Sequence, residues 1–310
     1  MVSSSLYPVP PFDFALSAAI FSSGDPHIRA FRGDIFRQVL VVDTIPLLVE
    51  ARSRGTTDKP VLLIAIQSDR RVSPDQKKAV LDRVSTIFSI TDDPAPFYLA
   101  VADDPVLADL TTQLRGLKAP VTPSVFEALT DSIIEQQISL TAARSIENRL
   151  IRKTGQALQL DGEVYFGYPE PAVLAMTSAS TYRACGLTVR KGEYIRDISL
   201  RIAEGKLDVE AYHAYPDTES VMQEMMQLRG IGRWTAEMTI LRGLHRPDAF
   251  PADDVGIRRL ISKFYPGDRK ISSADARSFA ERWGVWKGFA AYYLEVADIL
   301  GIRPATGAMR

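Results

Sequence analysis

Cysteine is nearly absent from this chain: Cys185 is the single one among 310 residues. That excludes an internal disulfide framework, a cysteine-ligated zinc site and a four-cysteine iron–sulfur cluster. Histidine is almost as scarce. His27, His213 and His245 lie far apart, so a histidine-rich metal site is not expected. Such a composition suits a reducing compartment, and a cytoplasmic protein is the expectation. No run of 18 apolar residues occurs, so no membrane span is expected. Met1–Phe14 offers neither a basic n-region nor an apolar h-region, so it does not read as a signal peptide. A large charge of one sign is missing too. Lys and Arg number 37 against 38 Asp and Glu, a net −1, which by itself argues against nucleic acid as a partner. Distribution matters more than the sum. Between Arg229 and Lys270 nine basic residues face five acidic ones.

What is present is ordinary globular material, 46% hydrophobic and 24% charged. At about 150 residues per domain, two domains or three are expected. Residues 1–118 read as α+β. Val39–Val42 and Val61–Ile66 are short, β-branched runs and predict strands. Ser73 before Pro74 predicts a capped helix carrying Val80, Leu81, Val84, Ile87 and Phe88 at helical spacing. A helix on an antiparallel sheet is the simplest arrangement. Residues 115–123 read as a linker. Residues 119–310 then read as all-helical, or as two helical lobes interrupted by a loop at 156–170. Thr122 is the expected cap of a helix from Pro123, and Ser139 of the next, which ends at Gly155 as a left-handed residue. Further helical patterns follow at 171–178, 190–204, 217–228, 233–243, 255–264, 273–283 and 286–300, with no strand pattern after 120.

The sharpest local feature is Leu228-Arg229-Gly230-Ile231-Gly232-Arg233-Trp234-Thr235-Ala236. Val221, Met222, Met225 and Met226 precede it at helical spacing, and Ala236, Thr239 and Ile240 follow. The pattern is helix, tight glycine turn, helix. Two glycines permit positive φ and remove side chains that would block a close approach. The N–H groups at the turn and the second helix's N-terminus can then bind a phosphate. A glycine pair in an interhelical turn is also a common packing device.

These residues resemble the hairpin of the helix-hairpin-helix (HhH-GPD) DNA glycosylases. About twenty residues on, Phe250-Pro251-Ala252-Asp253-Asp254-Val255-Gly256-Ile257-Arg258-Arg259 resembles that superfamily's proline-to-aspartate loop. The similarity is greatest to the 3-methyladenine-DNA glycosylase II (AlkA) family. Phe126–Leu129 with Ile134–Ser139 looks like its first-helix signature, Gly186–Lys191 like its mid-domain turn, and Glu281–Trp283 with Trp286 like its C-terminal helix pair. The resemblance spans 122–300; over 1–118 only the layout is similar. It implies a small antiparallel-sheet domain at 1–118 in front of a helical HhH-GPD glycosylase domain at 119–310. It also implies base excision repair: hydrolysis of the N-glycosidic bond of an alkylated purine, 3-methyladenine or 7-methylguanine, extruded from damaged double-stranded DNA. Such a protein works as a monomer, in the nucleoid, or in the nucleus if eukaryotic.

The matching residues carry expected roles. Asp254 matches the family's catalytic aspartate, and such chemistry needs a carboxylate because an oxocarbenium charge builds on the sugar. By itself an Asp before a helix is more often an N-cap; Asp253 reads as a cap or supporting partner. Trp234 stands where superfamily members that also cut the sugar–phosphate backbone carry a Schiff-base lysine, which implies a monofunctional enzyme using water. Gln136, Gln137 and Ser139 fall in the loop that enters the gap left by a flipped nucleotide, with Gln137 at the wedge. Arg229, Gly230, Gly232, Arg233 and Thr235 would meet DNA phosphates. A cationic purine suits an aromatic pocket, and Trp234, Trp286, Phe289, Tyr292 and Tyr293 are the candidates, though aromatics at helical spacing are as often core. The family pattern breaks at Met238, which replaces an aromatic, and at Glu295, which replaces a pocket tryptophan. A carboxylate at 295 attracts a cationic base or points to solvent. The main-chain carbonyls of Met226, Leu228 and Ile231 match the superfamily's monovalent cation site, for Na+ or K+, and no cofactor is expected for catalysis. Two alternatives stay open: a glycosylase for deaminated or oxidised bases such as hypoxanthine, and a non-catalytic DNA-binding protein that kept the hairpin. An anion at 254 disfavours the second, since it opposes DNA binding.

Overall fold

Alternation of apolar residues builds the N-terminal sheet. The computed structural model describes residues 1–265 and 270–304. Strands β1 (Val2–Leu6), β2 (Arg29–Arg32), β3 (Ile35–Val42), β4 (Ile45–Ser53) and β5 (Leu62–Gln67) pair antiparallel in the order β1-β5-β4-β3-β2. In β4, Leu47, Val49 and Ala51 point to one face and Leu48, Glu50 and Arg52 to the other. The first set packs with Leu62, Ile64 and Ile66 of β5 against Val80, Val84 and Ile87 of α2 (Pro74–Ile87) and Phe14 of α1 (Phe14–Ala18). Ser73 and Gln76 close a capping box at the start of α2, with Pro74 at its first position, as expected. The α+β front is therefore present.

The other face of this sheet is covered by an element the sequence reading missed. Strands β6 (Ala157–Leu160) and β7 (Glu163–Phe166) form a hairpin, and Leu158 packs on Val39 and Leu48. Residues 156–170 are thus not a plain loop, and strands do occur after 120. The turn is Asp161-Gly162, both at positive φ (50° and 83°), the two-residue turn whose twist matches a hairpin.

The helices are α3 (Ala95–Ala100), α4 (Pro105–Gln113), α5 (Val125–Glu135), α6 (Leu140–Thr154), α7 (Pro171–Met176), α8 (Ala179–Cys185), α9 (Val189–Ala203), α10 (Thr218–Met225), α11 (Arg233–Gly243), α12 (Val255–Phe264), α13 (Ser273–Ala280) and α14 (Lys287–Ile299). Ser124 caps α5, not Thr122: its Oγ accepts from the Glu127 N–H (3.1 Å), while Thr122 donates its hydroxyl to the Ser124 carbonyl (2.8 Å). The helix begins only at Val125, so Thr122 and Pro123 both lie outside it. Gly155 ends α6 in extended geometry (φ −74°, ψ 161°) rather than left-handed. It is glycine for space, since a Cβ there would lie 2.1 Å from the Gly167 carbonyl oxygen.

The helices build two cores. One gathers residues of α5–α11; the other gathers α3, α4 and α12–α14 around Trp283 and Leu294. The packing does not follow the division drawn at 118. Leu107, Leu110 and Leu114 precede it, yet they share a core with Leu260, Ile261 and Phe264, because the apolar face of α4 is buried by the C-terminal helices rather than by the sheet. An ionic contact ties the sheet to the first helical core. The Arg29 guanidinium of β2 donates to Glu127 (2.8 Å) and Glu147 (3.2 Å), and Tyr168 donates to Asp131 (2.8 Å) beside them. Three carboxylates thus crowd one buried guanidinium. Burial pushes Glu127 up to about 7 and raises Asp131 and Glu147 as well, with Arg29 pulling all three back.

Candidate active site

The hairpin between α10 and α11 needs its two glycines for different reasons. Gly230 lies at φ +89°, and a Cβ there would sit 2.2 Å from the Tyr194 ring of α9. Gly232 is extended (φ −97°, ψ 177°) and a Cβ would meet nothing within 4 Å. Only Gly230 uses left-handed freedom; Gly232 leaves the main chain bare on the open side. No side chain caps α11, so the first N–H groups of this helix face outward without a side-chain acceptor.

The side chains expected on DNA divide accordingly. Gln137 is exposed at φ +57°, at the tip of the loop between α5 and α6. Gln136 instead turns inward: its Nε2 donates to the Gly230 carbonyl (3.0 Å) and to Thr235 Oγ1 (3.0 Å), binding this loop to the hairpin. Thr235 is buried, so its side chain does not reach DNA and instead holds Gln136. Ser139 caps α6 through the Ala142 N–H (3.3 Å). Arg229 pairs with Glu193 (2.9 Å) and lies over the Tyr194 ring, and Arg233 pairs with Glu237 (3.1 Å).

Asp254 joins the hairpin to the loop twenty residues on. It caps α12, its Oδ1 accepting from the Ile257 N–H (3.0 Å), and its Oδ2 accepts from the indole N–H of Trp234 (3.1 Å). Both oxygens are thereby held by donors from two different helices. Asp253 is exposed. The capping reading and the functional one meet in one residue: the cap aims the carboxylate, and the indole fixes its second oxygen.

Three ion pairs that sequence reasoning overlooked brace this arrangement. Glu237 is buried in α11 and takes Arg277 of α13 (2.8 Å) as well as Arg233. Arg277 also donates to the Phe250 carbonyl (3.3 Å), tying the Asp254 loop to the hairpin helix. Burial pushes the Glu237 carboxyl up and both guanidiniums pull it back. Arg242 of α11 donates to both carboxylate oxygens of Glu135 (2.8 and 2.7 Å). Lys191 of α9 donates to the carbonyls of Ile134 (2.9 Å) and Gln136 (2.6 Å), the orphan acceptors at the end of α5. The signal available in the sequence was a charged residue on an otherwise apolar helix face, as at Glu237.

The expected pocket residues separate into two groups. Glu295 and Tyr292 lie one turn apart on α14, half-buried, and the electrostatics couple Glu295 to Asp254. Burial raises the Glu295 carboxyl, Arg242 draws it down, and Asp254 and Glu135 push it up again. Trp286 and Phe289, also half-buried, pack on a neighbouring aromatic cluster. Both rings pack against Phe97 of α3, and Phe289 also meets His245. Tyr293 is buried and donates its hydroxyl to the Leu117 carbonyl (2.8 Å). Met238 is buried in α11. The direction in which each helix turns its faces decides this, and aromatic spacing alone does not encode it. Trp234, Asp254, Tyr292 and Glu295 remain as the side chains of the candidate site.

Among the described residues, no helix is long and apolar enough to cross a membrane. The sequence profile of the HhH-GPD superfamily of base excision DNA repair proteins matches residues 130–286. The chain is similar to a DNA-3-methyladenine glycosylase of Bacillus subtilis, 27% identical over 84% of this chain and 85% of the relative. In fold it is similar to the 3-methyladenine DNA-glycosylase of Archaeoglobus fulgidus, with TM-score 0.84, 23% identity and coverage of 96% and 99% of the two chains. A 3-methyladenine DNA glycosylase of Schizosaccharomyces pombe, solved in complex with abasic DNA, matches with TM-score 0.53 and 24% identity over 65% of this chain and 95% of that one. The chain belongs to the HhH-GPD superfamily of base excision DNA repair proteins, as an N-glycosylase of the DNA-3-methyladenine glycosylase type.

Proposed function

We propose that this glycosylase acts on alkylated purines, 3-methyladenine and 7-methylguanine, swung out of double-stranded DNA, and that it is monofunctional, leaving an abasic site. The observation that carries the reading is the hydrogen bond from Trp234 Nε1 to Asp254 Oδ2 (3.1 Å). It joins a carboxylate to an aromatic ring at the position where a backbone-cutting relative would need its amine. In the reaction the bond from C1′ to the purine nitrogen breaks and its electron pair leaves with the base. An alkylated purine already carries the positive charge, so it departs neutral without an acid to protonate it. The Asp254 carboxylate stabilises the cation that develops on the sugar. Water then adds to C1′ and gives up a proton, with the same carboxylate positioned to orient it.

Binding is supported by three features. Gln137, exposed at φ +57°, can enter the space a flipped nucleotide vacates. The uncapped N-terminus of α11 beside the bare Gly232 suits a phosphate. A monovalent cation, Na+ or K+, would be held by the carbonyls of Met226, Leu228 and Ile231, which follow the C-terminus of α10 where helix carbonyls carry partial negative charge. The bond from the Ile231 N–H to the Leu228 carbonyl (3.1 Å) closes the turn that bears them. The ion would supply neutralisation of those dipoles.

Replacing Asp254 by Asn tests the mechanism. Release of methylpurines from methylated duplex DNA should fall by about 10²–10³-fold or more, since a preorganised charge at the developing cation is lost, while binding to abasic DNA is kept. Strand breaks should appear only after alkali. Unchanged release by the Asp254→Asn protein would overturn the mechanism, and breaks before alkali would overturn the monofunctional reading.

A further inference from the structure

Glu295 is a carboxylate with nothing to bind. It makes no hydrogen bond and no ion pair among the described residues, although it is half-buried on α14. Tyr292, one turn earlier on the same helix face, has a buried hydroxyl that likewise finds no partner. The two groups lie within electrostatic reach of one another, and Glu295 is within reach of Asp254. Arg242 and Arg144 draw on Glu295 through space, but their hydrogen bonds go to other groups. Arg242 gives Nη1 to both oxygens of Glu135, and Arg144 donates to Ser23 Oγ.

Burying a carboxylate without donors is costly, and a buried hydroxyl without a partner adds to that cost. Side chains in this state on a rigid helix are the mark of a surface completed by a ligand. The helix is rigid here, because Tyr293 anchors it to the Leu117 carbonyl and Leu294 sits fully buried.

We infer that Glu295, with the Tyr292 hydroxyl beside it, reads the extruded base and sets the preference of the site for cationic, amino-bearing purines over neutral keto bases. The inference rests on the glycosylase reading above. An ionised carboxylate only accepts hydrogen bonds. It therefore welcomes the exocyclic amino group of an alkylated adenine, whose N–H bonds are polarised by the positive charge. A neutral base that can turn only a keto oxygen to the same place meets like polarity and is repelled, whereas 7-methylguanine keeps both the positive charge and an exocyclic amino group to offer. The tyrosine hydroxyl can either donate or accept and so suits a ring nitrogen next to that amino group. Asp254 stabilises the sugar, and Glu295 selects the base.

The test uses the full chain and two small probes that need no turnover. The first is 3,9-dimethyladeninium, whose N9 methyl group fixes the positive charge; the second is neutral 9-methylhypoxanthine. Binding is followed by quenching of tryptophan fluorescence. Wild-type protein should prefer the cation. Glu295→Gln should weaken the cation by about 10- to 100-fold, the range for a hydrogen bond to a charged group, and leave 9-methylhypoxanthine within about twofold. Tyr292→Phe should cost the cation less. Removing an unpartnered charge should leave the melting temperature of Glu295→Gln at or above the wild-type value, with abasic-DNA binding kept, which separates base reading from a structural role. No loss of cation binding, or equal loss for both probes, overturns the inference. Release of methylpurines from methylated DNA by the wild type reports separately on the glycosylase reading. Discrimination lost in Glu295→Gln, without release by the wild type, would refute the glycosylase reading and leave only a Glu295-dependent preference for the cation; release with no discrimination would keep that reading and overturn the inference.

Discussion

Gly230 and Gly232 should respond in opposite ways to the same small change. Alanine at 230 must hold φ +89°, at about 1–2 kcal/mol for a left-handed residue with a Cβ. The added Cβ would also lie 2.2 Å from the Tyr194 ring, and displacing a packed ring adds about 1–3 kcal/mol. A chain of 310 residues has a melting entropy of about 0.65 kcal/mol per kelvin, at about 2.1 cal/mol/K per residue. The melting temperature of Gly230→Ala should therefore fall by about 3–8 °C. Alanine at 232 finds ordinary extended geometry and open space. Its only structural cost is a poorer helix cap, about 1 kcal/mol or less, so its melting temperature should shift by under about 2 °C. Its methyl group, however, stands where a phosphate would approach the uncapped N–H groups of α11. Affinity for an abasic-site duplex, measured by fluorescence anisotropy, should fall about tenfold, equivalent to about 1.4 kcal/mol. Wild-type melting of Gly230→Ala would refute the steric reasoning. Wild-type DNA affinity of Gly232→Ala would refute the phosphate site.

Trp234→Phe keeps an aromatic ring but removes the donor to Asp254 Oδ2. Single-turnover base release should fall by up to about 10- to 100-fold with DNA affinity kept, and an unchanged rate would mean the indole does not position the carboxylate. Arg29→Met leaves Glu127 and Glu147 buried without their cation. The expected loss is about 3–5 kcal/mol in urea denaturation, and a wild-type midpoint would contradict it. Glu295 should give the site a pH dependence. Its carboxyl is raised by burial, Asp254 and Glu135, against the opposing pull of Arg242 and Arg144, and it faces the neutral Tyr292 hydroxyl. As pH falls toward that raised value the group takes up a proton and its charge disappears. Binding of 3,9-dimethyladeninium should weaken while pH is still above the ordinary glutamate value of about 4.3, and this limb should be missing in Glu295→Gln. A wild-type profile flat down to that value would contradict the coupling.

Much of the fold was legible in the residues themselves. The capping box at Ser73 and the helical spacing of α5–α7 and α9–α14 are written in near neighbours, so local periodicity was enough there; the short α8 (Ala179–Cys185) went unread, and the cap of α5 fell at Ser124 rather than Thr122. The β6–β7 hairpin was not read: its two strands are four residues each, too short for alternation to stand out, and only the Asp161-Gly162 turn marked it. The pairing of α4 with the C-terminal helices was not legible, because an amphipathic helix shows which face is apolar without saying what covers it. The same divide runs through the candidate site. Asp254 was singled out by its match to the family's aspartate in a loop about twenty residues after the glycine hairpin; its place before a helix alone reads as a cap. Whether it was a cap or joined to Trp234 could not be read, since that hydrogen bond spans two helices. Aromatic spacing on α14 likewise offered Phe289, Tyr292 and Tyr293 on equal terms. Packing alone turned Phe289 toward Phe97, sent the Tyr293 hydroxyl to Leu117, and left Tyr292 with Glu295 beside Asp254. A sequence determines what each helix can present; the rotation of each helix against its neighbours is set by how the cores close, and that decided which side chains share the site.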